Sequence, residues 1–371
     1  MDTSSSQLLS IPVQMATRFP LEAVMPALPA LAPTTGLIFT FGSDTNGSGR
    51  KPASYNGCFS IRPSTGLTDN EGVVGFFPEF DMLVFFGRDV FRFSKFITVW
   101  YGDSPMLRSP TPKVRQLYPA DYLPTSNPAQ TSLIDSFVKG LESALQVTRI
   151  EIPFELWKTD QPDGAEHRDI AKYLDHAGIY PFYRDQYHNS ADFSNEYKVK
   201  FGKPPFVHRA LHWQWGSVTS AGVVRNSTDT GYLTASSMLK IWTRQPSWSC
   251  PSSRDSRTTA MRNSLTLSER PYGLLDGYAT LNMSPMMRAP EVTAPLDDIP
   301  YQSIVTGREE PLPIVVSVMG PPGAFPVLSN MKRQKLSDCD TGTGLILVDL
   351  VEKGMKAASI PTKVKTGRSL H

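Results

Sequence analysis

Leu37-Ile38-Phe39-Thr40-Phe41 runs directly into Gly42-Ser43-Asp44-Thr45-Asn46-Gly47-Ser48-Gly49-Arg50-Lys51-Pro52-Ala53-Ser54. The apolar run has the length and composition of a buried strand. The stretch after it is small and turn-forming, with one serine, Ser48, near its centre. Asn56-Gly57 and Pro63-Ser64-Thr65-Gly66 then break the chain twice more. A tight turn poor in side chains, placed after a strand, lets backbone N–H groups converge on one point. Such donors can hold a developing oxyanion, and a serine on the turn is a candidate nucleophile. The rest of the chain has to support this turn.

With its glycines, its Asp44-Thr45 pair, Ser48, Arg50 and Pro52-Ala53, the stretch resembles the amidase signature family. The family's pattern is Gly-Thr-Asp-Thr-Gly-Gly-Ser-Ile-Arg-x-Pro-Ala, then a glycine, then Arg/Lys-Pro-Ser/Thr-x-Gly. Gly57 and Arg62-Pro63-Ser64-Thr65-Gly66 continue the register without a gap. The resemblance extends through Asp81 and Arg88-Asp89 and returns at 312–320 and 345–358. It is similar above all to the fungal branch, in which a scytalone-dehydratase-like domain sometimes precedes the amidase. It implies a three-layer α/β fold, with a central mixed sheet flanked by helices. It also implies hydrolysis of an amide carbon–nitrogen bond through a Ser–cis-Ser–Lys triad and an acyl-enzyme. On that reading Ser48 is the nucleophile, and Thr45, Asn46 and Gly47 form the oxyanion hole with it.

The chain departs from the pattern in four places. Asn46 replaces a glycine, and Gly49 replaces the usual isoleucine. Around Asp81, Glu79 and Val84 stand where the family has a serine and a glycine. The family's lysine and bridging serine lie upstream of the nucleophile, yet no lysine precedes Lys51 and the region 21–25 holds no serine. The resemblance therefore implies that the N-terminal part of the family fold is missing. A hydroxyl without its base is a weak nucleophile at neutral pH. Two readings follow: a serine amidase by descent, or a catalytically silent remnant serving as a binding or structural module. A third is complementation, with another chain supplying the lysine and serine.

Elsewhere the pattern is mostly architectural. The runs 72–78 and 82–86 have strand length. Val114 to Tyr118 and Val147 to Ile152 read as strands around a helix spanning 133–145, which is a parallel βαβ unit. Apolar residues also recur at helical spacing over 345–357, and 313–319 is a β-branched strand. Strands 37–41, 147–152 and 313–319 are expected in one sheet. A helix from near Asp192 to Phe201 is closed by Gly202 and Pro204. Aromatics over 165–215 suit core packing better than an acyl pocket. His208 and His212 have a metal-compatible spacing, but Arg209-Ala210-Leu211 supplies no glutamate between them. They read as a packed or surface pair rather than as metal ligands or a base for Ser48.

Residues 1–35, 236–270 and 324–342 carry little apolar periodicity and are expected to be poorly ordered. They divide the chain into a non-family N-terminus at 1–35 and a partial amidase domain at 36–371. The net charge of +2 gives no reason to expect a nucleic-acid partner. Three cysteines form neither a disulfide framework nor a metal spacing. No segment is long enough to span a bilayer. The expected partner is a small amide substrate, with no cofactor, metal or membrane, in a cytoplasmic setting.

Overall fold

The computed structural model describes residues 39–101, 116–119, 123, 125, 127–152, 180–220, 250–253, 280–303, 306–320 and 344–365. The expectations for 1–35 and 324–342 lie outside these residues, as does most of 236–270. Within that last span, Cys250–Ser253 forms a strand.

Six strands build one sheet: β1 (Phe39–Asp44), β2 (Phe59–Arg62), β3 (Met82–Gly87), β6 (Cys250–Ser253), β7 (Glu291–Gln302) and β8 (Glu309–Met319). Their order is β1-β3-β2-β7-β8-β6. Every pairing in it is antiparallel, from Phe39 opposite Gly87 to Cys250 opposite Met319. The parallel pairing of this α/β fold sits apart, in a two-stranded sheet of β4 (Leu117–Pro119) and β5 (Ile150–Ile152). These strands flank α3 (Pro128–Leu145), so the βαβ unit is present. Strand 147–152 does not join 37–41 and 313–319. Gln146 ends α3 in a left-handed conformation, and the Val147 N–H remains bonded to Glu142 O. Among the described residues the strand that follows is Ile150–Ile152, and it pairs with β4.

Alternation along the strands assigns the two faces of the large sheet. Phe59, Ile61, Phe85, Val292, Ala294, Leu296, Val316 and Val318 point into one apolar core. That core is closed by α2 (Val90–Tyr101), α3 and α8 (Gly344–Ala357). The opposite face carries Ser60, Arg62, Glu291, Thr293 and Ser317, all buried. The short helix α1 (Arg50–Tyr55) covers that face, with Ala53 packed among Cys58, Val84 and Phe86. Both faces are thus covered, giving helix–sheet–helix layering. Where α3 crosses α8 the approach is unusually close. A Cβ on Gly140 would lie 2.4 Å from Gly354 O, and one on Gly354 would lie 2.6 Å from Leu141.

Two sequence expectations are revised on β1 and after it. β1 is an edge strand, not a buried one, and Phe39 and Phe41 are exposed on it while touching Phe85, Phe96 and Trp100. It also runs on through Gly42 and Ser43, so the turn starts only at Thr45. The run 72–78 is not a strand. Gly72 takes φ +81°, and the Phe76 and Phe77 N–H groups go to the Asp81 carboxylate instead of to a sheet.

Three further helices come later in the chain: α4 (Tyr180–Asn189), α5 (Ala191–Phe201) and α6 (Arg209–Ser220). Gly202 caps α5 at φ +66°, as its sequence implies. The short α7 (Thr280–Met286) leads into β7.

Candidate active site

The turn between β1 and α1 is built around one carboxylate. Asp44 Oδ1 accepts the Gly47 N–H at 2.9 Å. Its Oδ2 accepts the N–H groups of Gly49 (3.1 Å) and Arg50 (2.9 Å). Arg50 closes the arrangement, donating from Nε to Oδ2 at 3.0 Å and from Nη2 to Oδ1 at 2.9 Å. This bidentate fork is the geometry a guanidinium offers a carboxylate. Arg50 Nη1 then reaches across the fold to Glu291 Oε2 (2.6 Å) and to Leu281 O (2.8 Å).

Arg62, opposite Glu291 on the next strand, donates to Phe80 O at 2.7 Å. Its Nε lies 3.8 Å from Asp44 Oδ1, at ion-pair rather than hydrogen-bond range. Asp44, Arg50, Arg62 and Glu291 therefore form a balanced cluster of two acids and two bases, sealed from solvent.

The cluster shifts its own ionisation. Burial alone would push the Asp44 carboxyl up, but the Arg50 charge, its hydrogen bonds and the Arg62 charge outweigh that. Asp44 is therefore held well below the usual carboxylate range. Burial opposes the charge on Arg50 too, and Asp44 and Glu291 reverse the effect, raising its pKa. Arg62 goes the other way: burial and the neighbouring Arg50 charge push it down. Cys58, buried under α1, is pushed up to about 12 by desolvation, so its thiol is no nucleophile at neutral pH.

Ser48 projects from this frame. It is exposed, while Thr45, Asn46, Gly47, Gly49 and Arg50 around it are buried. Gly47 carries the left-handed backbone of the turn at φ +112°, and a Cβ there would press into Leu281 at 2.5 Å. Asn46 does not need a left-handed conformation, so its departure from glycine leaves the backbone unstrained. Thr45 Oγ1 donates to Asp81 Oδ1, whose other oxygen holds Phe76 and Phe77. The 76–81 loop is thereby tied to the Ser48 turn. Of the backbone donors in the turn, the Gly47 N–H is committed to Asp44.

Two of the sequence departures are spatially one. The Gly49 backbone lies on Val84, and a Cβ on Gly49 would come within 3.0 Å of the Val84 Cβ. Where the family pattern has isoleucine and glycine, this chain has glycine and valine, so the bulk has moved across the contact. Gly49→Ile alone should overpack the site and cost about 1–3 kcal/mol. Combining it with Val84→Gly should recover part of that loss. A urea-unfolding cycle with additive costs would sink the pairing. The third departure, Glu79, pairs with Arg288 next to α7.

His208 immediately precedes α6, and His212 lies in its first turn, where it packs against Trp215. Among the described residues no group of three metal-capable side chains exists.

Sequence reading placed Ser48 and its turn but gave no role to Asp44, Arg50, Arg62 or Glu291. Asp44, Arg50 and Arg62 stand in the motif that carries the family resemblance, but the motif does not say that they form one ion network. Glu291 lies more than 200 residues from its partners, and nothing local points to it.

Residues 30–144 match the family model described as Amidase. "Amidase 1" of Oryza sativa subsp. japonica is 42% identical over 67 residues, covering 18% of this chain and 15% of that protein. "Amidase 1" of Arabidopsis thaliana is 45% identical over 51 residues, covering 14% and 12%. The chain thus spans a small part of the curated relatives it matches.

Among solved structures, Kluyveromyces lactis allophanate hydrolase superposes with a TM-score of 0.58 at 14% identity, covering 89% of this chain and 48% of that one. A bacterial aryl acylamidase of the amidase signature family gives 0.54 at 13%, covering 91% and 66%. The fold is therefore that of the amidase signature enzymes, represented in part. The family match is thus confined to residues 30–144, and the wider likeness is one of fold.

Proposed function

We propose that the site is an amide-hydrolysing one in which Ser48 attacks a carbonyl and forms an acyl-enzyme. The observation that carries this is the exposure of Ser48 between buried residues, with Gly47, Gly49 and Arg50 held by the Asp44 carboxylate and Thr45 by Asp81. A rigid frame around one exposed hydroxyl suits catalysis, because donors set in advance do not reorganise as charge develops. The Ser48 N–H and those of Thr45 and Asn46 would face the oxyanion, and the Gly47 N–H would maintain the frame through Asp44. The substrate class is a small amide, and the leaving group is ammonia or an amine.

A second reading, a silent scaffold, is favoured by the departures beside Ser48, where Asn46 and Gly49 stand in place of a glycine and an isoleucine. General-base assistance contributes about 10²–10⁴-fold, so a site without it would work near background. The two readings separate on a serine-directed fluorophosphonate probe and a panel of small amides, with Ser48→Ala in parallel. Slow probe labelling and slow amide turnover, both lost in Ser48→Ala, are expected. Absence of labelling, or labelling that survives the substitution, would leave the scaffold reading standing.

A further inference from the structure

The α5–α6 connection presents exposed apolar side chains among cations. α5 has no buried residue. Phe193, Tyr197 and Phe201 recur along it every four residues, with Tyr197 and Phe201 ring centroids 4.5 Å apart. Phe193 is 62% exposed and Phe201 53%. Beyond them, Lys198-Val199-Lys200-Phe201-Gly202-Lys203-Pro204-Pro205-Phe206-Val207-His208-Arg209 holds four cationic side chains and no acid. Within it Val199 is 87% exposed and Phe206 90%.

Local structure explains the presentation. Gly202 turns the chain out of the helix, and Pro204-Pro205 prevents its return, so Phe206 stands away from the body. Lys200 Nζ lies over the Phe201 ring at 5.3 Å, putting cation and aromatic in one patch. The acids of α5, Asp192 and Glu196, precede this tip.

Lysines alone at a helix C-terminus are explained by the helix dipole. That account gives no reason for Val199, Phe201 and Phe206 to face water among them. Exposed apolar side chains interleaved with cations complement a surface with an anionic outer layer and an apolar interior.

We propose that the tip formed by 198–209 docks peripherally on an anionic phospholipid bilayer. The cations would engage headgroups, and Phe201 and Phe206 would enter the interface. This is contact from one side, distinct from spanning: among the described residues no helix is long and apolar enough to cross a membrane. Peripheral docking would bring the protein to amphiphilic, membrane-borne ligands whatever the chemistry at Ser48.

The test is sedimentation of the purified full chain with vesicles of phosphatidylcholine plus phosphatidylserine, against phosphatidylcholine alone, at low and high salt. Binding should need the anionic lipid and weaken with salt. Replacing Lys198, Lys200 and Lys203 by glutamine should lower partitioning by about fivefold per lysine, roughly 100-fold in all. Phe201→Ser with Phe206→Ser should lower it by about tenfold. All five positions are exposed, so both variants should melt as the parent does. No binding to anionic vesicles at low salt, or binding unchanged in either variant, overturns the proposal. Binding that follows the lysines but ignores the phenylalanines, with equal capture by heparin, assigns the patch to polyanions and also overturns it.

Discussion

Replacing Arg50 by methionine should lower unfolding stability by about 3–5 kcal/mol, the usual cost of removing one partner from a buried ion network. The methionine fills much of the space but leaves Asp44 and Glu291 in a sealed site without the guanidinium that bridges them. Arg50→Lys should rescue little. An ammonium restores the charge but cannot reproduce the fork to Asp44 and the reach to Glu291 and Leu281 O at once. Arg149 is the control. It pairs with Glu142 and Asp135 at 2.9 and 3.3 Å, but near solvent. Arg149→Met should cost about 1 kcal/mol or less. Urea midpoints for the three variants check this, and an Arg50→Met midpoint close to that of Arg149→Met would contradict it.

The second large effect is expected where α3 meets α8. Ala normally stabilises a helix relative to Gly by about 1 kcal/mol, yet Gly140→Ala should destabilise by about 2–3 kcal/mol. Its new methyl would meet Gly354 O at 2.4 Å and the Ala358 Cβ and backbone N at 2.8 and 2.9 Å. Two of those three atoms are backbone, so relief requires the helices to separate and the core between them to loosen. Gly216, on α6, offers the same substitution in open space, with no atom within 4 Å of its would-be Cβ. Gly216→Ala should raise stability by about 0.5–1 kcal/mol. Opposite signs from one chemical change are the outcome to look for in thermal melts, and equal signs would refute the close-packing account.

These sites also show what the sequence made legible. Periodicity located α3, α5 and α8 because each has a continuous apolar stripe or a clear stop, such as Gly202 before Pro204. It located the turn around Ser48 because small residues at fixed spacing are locally informative. It misjudged β1 because Phe39 and Phe41 are apolar at an edge, where aromatic packing on Phe96 and Trp100 stands in for burial. It misread 72–78 because a carboxylate, Asp81, satisfies donors that a strand would have given to a neighbour. It was silent on Glu291, since strands such as Glu291-Val292-Thr293-Ala294 alternate as if one face met water. Here both faces are buried, and the polar one carries the ion network.

That network has a consequence for the order in which the protein is made. The turn bearing Ser48 looks self-contained in sequence, yet one of its four charges arrives only with β7. A nascent chain that has emerged from the ribosome as far as residue 280 holds Asp44, Arg50 and Arg62 but lacks Glu291. In that state the cluster carries surplus positive charge, and sealing it would be costly. The turn should then stay open to water until β7 pairs with β2, 231 and 229 residues on between Ile61 and Val292 and between Arg62 and Glu291. Completion of the Ser48 turn is thus a late event that waits for β7, although most of its residues lie far upstream of that strand.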